Sequence, residues 1–203
     1  MGALMLFVFN PIIGVINDSL ANLLNSMGST SKVILGIVLG GMMAIDMGGP
    51  INKAAYVFGT MSIANGNYDI MAAVMVGGMV PPIGIALATT FFKNRFSKSE
   101  RQSGITNYVM GLAFITEGAI PFAAADPLHV IPATAVGAAV AGALSMVFGC
   151  TLMAPHGGLF VFPVVGNWPM YLVALAAGSV ITMFMLALLK NPPWSHQCTS
   201  EYH

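Results

Sequence analysis

Charge is what this sequence has least of. Acidic and basic residues make up 7% of its 203 residues against 57% hydrophobic ones, where soluble domains carry roughly 25% charged residues. A soluble protein of this composition would have too few polar side chains to cover its outside, which excludes that class. The few charges balance to a net of zero, and the basic ones form no stripe of the kind a phosphate backbone requires, so nucleic acid is not an expected partner. Cysteine is scarce too. Cys150 is set in an apolar stretch and Cys198 in the polar tail, which yields neither a ligand pair nor a disulfide framework. His196 and His203 are isolated in that tail, and no metal or cofactor site is expected. The apolar start over residues 1–9 lacks a basic flank and a small-residue cleavage site, so it does not read as a signal peptide. It reads as the stub (1–10) of a preceding membrane helix, and the chain as the C-terminal portion of a larger membrane protein.

What is present is long apolar runs. Residues 70–92 contain no charged side chain, and 127–189 contain none apart from His129 and His156. Runs over 71–92, 128–150 and 170–189 predict membrane-spanning helices of about 20 residues, the first with Pro81-Pro82 near its middle and therefore a kink or break. Residues 11–27 repeat apolar side chains at helical spacing with polar ones on other faces, which predicts an amphipathic helix in the membrane interface. Residues 33–45 are apolar, but 13 residues rise about 20 Å and cannot cross a hydrocarbon core of about 30 Å. The breaker-rich stretch after them, 46–59, and a second one at 116–127, are read as two re-entrant hairpin loops. Irregular backbone survives at membrane depth only where protein or a wet cavity satisfies its polar groups. The segment 93–101 holds four of the seven basic residues and is expected on the cytoplasmic side; Lys190 is expected to return to that side. The fold class is thus an all-α integral membrane protein, with a membrane domain over 28–190 and a disordered polar tail over 191–203.

Asp46, Lys53, Glu117 and Asp126 are ionisable groups among apolar neighbours, and burying each is costly unless it is paired or wetted. A polar cavity where the two breaker-rich loops meet is the functional hypothesis; an ion pair of Asp46 with Lys53 is the structural alternative. Glu117 stands where a helix breaks, so a carboxylate and free backbone groups face the same space. That mixture suits a neutral polyol, whose hydroxyl proton the carboxylate could accept. His156, between a proline and two glycines, could hydrogen-bond the same solute. His129 has the weaker case.

The runs Gly48-Gly49-Pro50-Ile51-Asn52-Lys53-Ala54-Ala55-Tyr56, Ile115-Thr116-Glu117-Gly118-Ala119-Ile120-Pro121-Phe122-Ala123-Ala124-Ala125-Asp126-Pro127 and Ala154-Pro155-His156-Gly157-Gly158 occur in the order found in the membrane (IIC) domain of fructose-type phosphotransferase permeases, which the chain resembles from about residue 8 to 190. The resemblance implies a homodimer in the lipid bilayer of the bacterial cytoplasmic membrane, whose transport domain binds a sugar that a phosphorylated IIB domain then phosphorylates. It implies Glu117 as the catalytic residue holding the hydroxyl to be phosphorylated, with Asn52, Lys53, Thr116, Gly118 and His156 around the sugar, and Asp46 and Asp126 as structural polar groups. Relatives often carry a histidine in the first hairpin or just before the glutamate; here those places hold Asn52-Lys53 and Thr116. The upstream helices and the IIA and IIB domains are not in the sequence, so phosphoryl transfer is expected from a separate partner. Fructose is the expected sugar, with 2-O-mannosylglycerate as an alternative. An ion-coupled secondary transporter and an inactive fragment are the competing readings.

Overall fold

An apolar chain with glycine at short intervals forms helices that can approach until their backbones touch. The computed structural model describes residues 29–190; the stub, the amphipathic helix expected over 11–27 and the tail over 191–203 lie outside the described residues. Within them the chain forms α1 (Ser29–Ile45), α2 (Pro50–Ala64), α3 (Asp69–Phe91), α4 (Lys98–Leu112), the short α5 (Ile120–Ala125), α6 (Pro127–Val147) and α7 (Trp168–Leu189). Short 3-10 turns occupy Lys93–Arg95, Thr116–Ala119 and Gly158–Val164. Two-residue strands, β1 (Thr151–Leu152) and β2 (Val165–Gly166), pair antiparallel with Thr151 opposite Gly166.

Helices α3, α6 and α7 are long and apolar enough to cross a membrane, with 23, 21 and 22 residues. Helix α3 lies at the centre and is buried along nearly all of its length. On α6 and α7 the inner faces are buried, yet Val136, Val147, Val180, Phe184 and Leu188 point outward. Helices that are apolar inside and out have outer faces suited to lipid. Glycine sets the spacing between them. A β-carbon at Gly36 of α1 would lie 2.6 Å from the Gly142 oxygen of α6, one at Gly77 of α3 would lie 2.7 Å from Gly40 of α1, and one at Gly178 of α7 would lie 2.6 Å from the Gly137 oxygen of α6.

Contacts at the helix ends give the path of the chain. At one rim, Lys32 of α1 pairs with Asp69 of α3 at 2.9 Å, and the Leu152 N–H donates to the Tyr68 carbonyl at 2.9 Å. There too the Asn167 side chain donates to the Phe148 carbonyl at 2.8 Å, so α6 ends and α7 begins at this rim. At the opposite rim, where α3 ends, the Arg95 guanidinium donates to the Lys190 carbonyl at 2.6 Å and the Lys190 ammonium pairs with Glu100. Lys190 also lies 4.5 Å from the centre of the Phe96 ring. Helices α1 and α2, with 17 and 15 residues, rise only about 22–25 Å each. They form a pair that leaves the Lys32 rim and returns to it, while the segment from α4 to α5 does the same from the Lys190 rim.

Three local outcomes differ from the sequence reading. The irregular backbone of the first breaker-rich stretch is confined to 46–49, because Pro50 sits in the first turn of α2, where its missing N–H is no loss. Helix α4 starts at Lys98 rather than near Gly104, because Ser97 and Glu100 form a complete capping box. Of the kink or break expected at Pro81-Pro82, the break does not occur, since α3 runs as one helix through both prolines.

Candidate functional site

At the first break, Asp46 turns its carboxylate onto the start of α2. Its two oxygens accept the N–H groups of Ile51 at 2.7 Å and Asn52 at 2.8 Å, which α2 cannot satisfy internally. Asp46 is therefore held as a helix cap, and no Asp46–Lys53 ion pair forms among the described residues. The buried Asn52 side chain donates to the Met43 carbonyl at 2.7 Å, tying the start of α2 to the end of α1 and leaving its own oxygen free to accept. Met47 has φ of 45° and Gly48 of 114°. A left-handed methionine is unusual and marks local strain.

The second break follows α4. Phe114 has φ of 62°, and the Ile115 N–H folds back to the Met110 carbonyl at 2.8 Å. Thr116, 4% exposed, donates its hydroxyl to the Gly78 carbonyl of α3 at 2.9 Å. Gly78 stands four residues before Pro82, whose ring nitrogen has no hydrogen to give it. Glu117 comes next, and the two breaks meet at it: a β-carbon on Gly48 would lie 3.0 Å from a Glu117 carboxylate oxygen. Glu117 forms no ion pair among the described residues. Gly118 faces the other way, where a β-carbon would come within 2.5 Å of the Asn107 side chain.

The third motif closes one side. Gly157 and Gly158 adopt φ of 134° and 55°, and Gly158 packs so tightly on the end of α4 that a β-carbon would lie 2.8 Å from the Phe114 nitrogen. This presents the His156 ring edge-on to Phe114, with centroids 5.1 Å apart. Tyr56 of α2 lies 6.3 Å from Phe114 and 6.5 Å from His156, so three rings form one wall.

These pieces surround an open cavity of about 600 Å³, lined by Met43, Gly48, Asn52, Lys53, Tyr56, Phe114, Ile115, Thr116, Glu117 and His156. The size is that of a small-molecule site. A carboxylate, an ammonium, an amide oxygen and an imidazole face it beside an aromatic wall. Of the residues singled out from sequence, Asn52, Lys53, Thr116, Glu117 and His156 come together here. Gly118 does not line the cavity. Asp126 pairs with His129 at 2.7 Å, outside the lining. Tyr56 and Phe114 were missed; Tyr56 ends the first motif and Phe114 stands just before the second, so motif boundaries were the available signal.

Comparison with known proteins bears on what the cavity is for. The chain is 56% identical over 191 residues to the "PTS system fructose-specific EIIABC component" of Bacillus subtilis, covering 94% of this chain and 30% of that protein. It is 55% identical over 191 residues to the "Fructose permease IIC component" of Bacillus amyloliquefaciens, covering 94% of this chain and 62% of that protein. Over 94% of its length the chain is similar to the IIC component of fructose-family phosphotransferase permeases. With the "PTS system fructose-specific EIIB'BC component" of Escherichia coli the identity is 46% over 197 residues, 94% of this chain and 34% of that protein. The chain spans less than two thirds of the length of each of these relatives. No family model and no solved structure matches it. Similarity to a permease component, together with three helices of membrane-spanning length and composition among the described residues, makes it a membrane protein.

Proposed function

We propose that the cavity is the sugar site of a fructose permease whose transport is coupled to phosphorylation. The supporting observation is the convergence of Glu117, Asn52, Lys53 and His156 on one small-molecule cavity at the meeting of two helix breaks. The polar groups suit sugar hydroxyls and the rings of Tyr56, Phe114 and His156 suit a sugar's C–H face. In the reaction, a sugar hydroxyl attacks the phosphorus of a phosphocysteine on a separate IIB domain. The new O–P bond forms as the S–P bond breaks, the thiolate leaves, and Glu117 accepts the hydroxyl proton. Lys53 offsets phosphoryl charge.

The α1–α2 pair and the α4–α5 segment act as hairpins that re-enter the membrane from opposite sides, within a transport domain over 28–190. The 93–101 segment and Lys190 face the cytoplasm, in the bacterial cytoplasmic membrane, and the complete permease is a homodimer. The names of the relatives support fructose and a IIB partner.

Radiolabelled fructose binding to purified protein in lipid nanodiscs, with Glu117→Gln beside the wild type, tests the site; sugar-phosphate formation on adding phosphorylated IIB tests the coupling. Loss of binding in Glu117→Gln and phosphorylation dependent on IIB are expected. Accumulation of free sugar driven by a proton or sodium gradient would show an ion-coupled transporter instead, and binding by mannosylglycerate in place of fructose would reassign the substrate.

A further inference from the structure

A proline inside a helix leaves the carbonyl four residues before it without its usual donor. Pro82 does this to Gly78 in α3, and a buried carbonyl left without a donor is destabilising. Thr116 supplies the donor at 2.9 Å, from a side chain that is itself buried. The contact crosses from the central, spanning helix to the residue directly before Glu117. Gly78 makes the approach possible, since a β-carbon there would come within 2.5 Å of Phe114 and 3.0 Å of the Thr116 oxygen.

We propose that Thr116 is a positioning residue: its hydroxyl docks on the carbonyl that Pro82 leaves open in α3 and so fixes where the Glu117 carboxylate stands in the cavity. The proposal rests on Glu117 as a sugar ligand. It gives Pro82, which does not line the cavity, a role in sugar binding through the absence of one hydrogen. Thr116 spends its proton on α3, so its contribution to the site is the placement of its neighbour.

The test is fructose affinity in nanodiscs for Thr116→Val, Thr116→Ser, Pro82→Ala and Glu117→Gln, with the thermal midpoint of each. Thr116→Val removes the donor at nearly constant shape and is expected to weaken binding roughly five- to tenfold, the worth of one hydrogen bond. Thr116→Ser keeps the donor and restores affinity. Pro82→Ala gives α3 back an N–H that competes for the Gly78 carbonyl, so it is expected to weaken binding although Thr116 is intact, and it carries the test should Thr116→Val not fold. Affinity within twofold of wild type in Thr116→Val or Pro82→Ala, or a serine variant as weak as the valine one, overturns the proposal while a weak Glu117→Gln keeps the sugar site in place. Wild-type affinity in Glu117→Gln overturns both.

Discussion

Glu117 reaches the cavity because its neighbours on both sides are otherwise engaged. Thr116 is bonded to α3 and Gly118 is pressed against α4, which leaves the carboxylate the one long polar side chain of that turn. Replacing it with glutamine keeps the shape and removes a charge-assisted acceptor, so fructose affinity should fall by roughly 10- to 100-fold in a binding assay. Tyr56→Ala removes one ring of the wall and should weaken binding about 3- to 10-fold with little change in thermal midpoint, since aromatic contacts are worth about 0.5–1.5 kcal/mol beyond burial. Glu117 could be singled out in the sequence because a lone acid in an apolar run has few explanations. Tyr56 and Phe114 could not, because an aromatic residue looks the same whether it faces lipid, core or sugar. Cys150 is buried, and burial pushes its thiol up. A raised thiol pKa means less thiolate at neutral pH, so in a Cys198→Ser background maleimide labelling should be slow until the protein is unfolded.

The first break is held by the cap of the helix beside it, whereas the cap of α4 sits at the end away from the second break. Asp46 holds the start of α2, and Asp46→Ala should cost about 1 kcal/mol in stability and weaken sugar binding as Asn52 loses its fixed place. At α4 the Ser97–Glu100 box lies outside the lining of the candidate sugar cavity, so Ser97→Ala should cost a similar amount, about 1 kcal/mol, and leave affinity unchanged. Comparing the two by thermal melting and fructose binding separates a cap that serves the site from one that serves the fold. The start of α4 was readable from Ser97-Lys98-Ser99-Glu100 and was obscured by the basic residues around it, which read as a loop. The pairing of Asp46 with backbone rather than with Lys53 was not readable, because spacing alone does not say whether a carboxylate turns to a cation or to the free amides of a helix start.

Across the molecule, the two rims are tied by charge and the interior by close packing. Lys190, 7% exposed, is joined to Glu100 and lies against Phe96. Lys190→Met alone should lower the thermal midpoint by stranding Glu100, and adding Glu100→Gln should recover much of the loss, because a part-buried pair is harmed more by losing one partner than by losing both. Single cysteines at Asn94 and at Gly66, in the Cys150→Ser/Cys198→Ser background, should be labelled from opposite faces of sealed vesicles, Asn94 from the cytoplasmic one. That three distant motifs converge was legible because glycines, prolines and polar groups in an apolar chain have to shelter one another. The Lys190–Glu100 tie, 90 positions apart, was not, since a lone lysine at a helix end names no partner.

The burial of the Asp69–Phe91 helix changes how substitutions in it are to be judged. Its surroundings are other helices, with Gly40 against Gly77, Phe114 and Met43 against Gly78, and Thr182 against Gly84. For most membrane helices greasiness is the measure of tolerance; for this one the measure is room. An added isobutyl group at Gly77 should be as poorly accepted as a carboxylate, whereas trimming Val76 to alanine should be borne at the modest price of a small void.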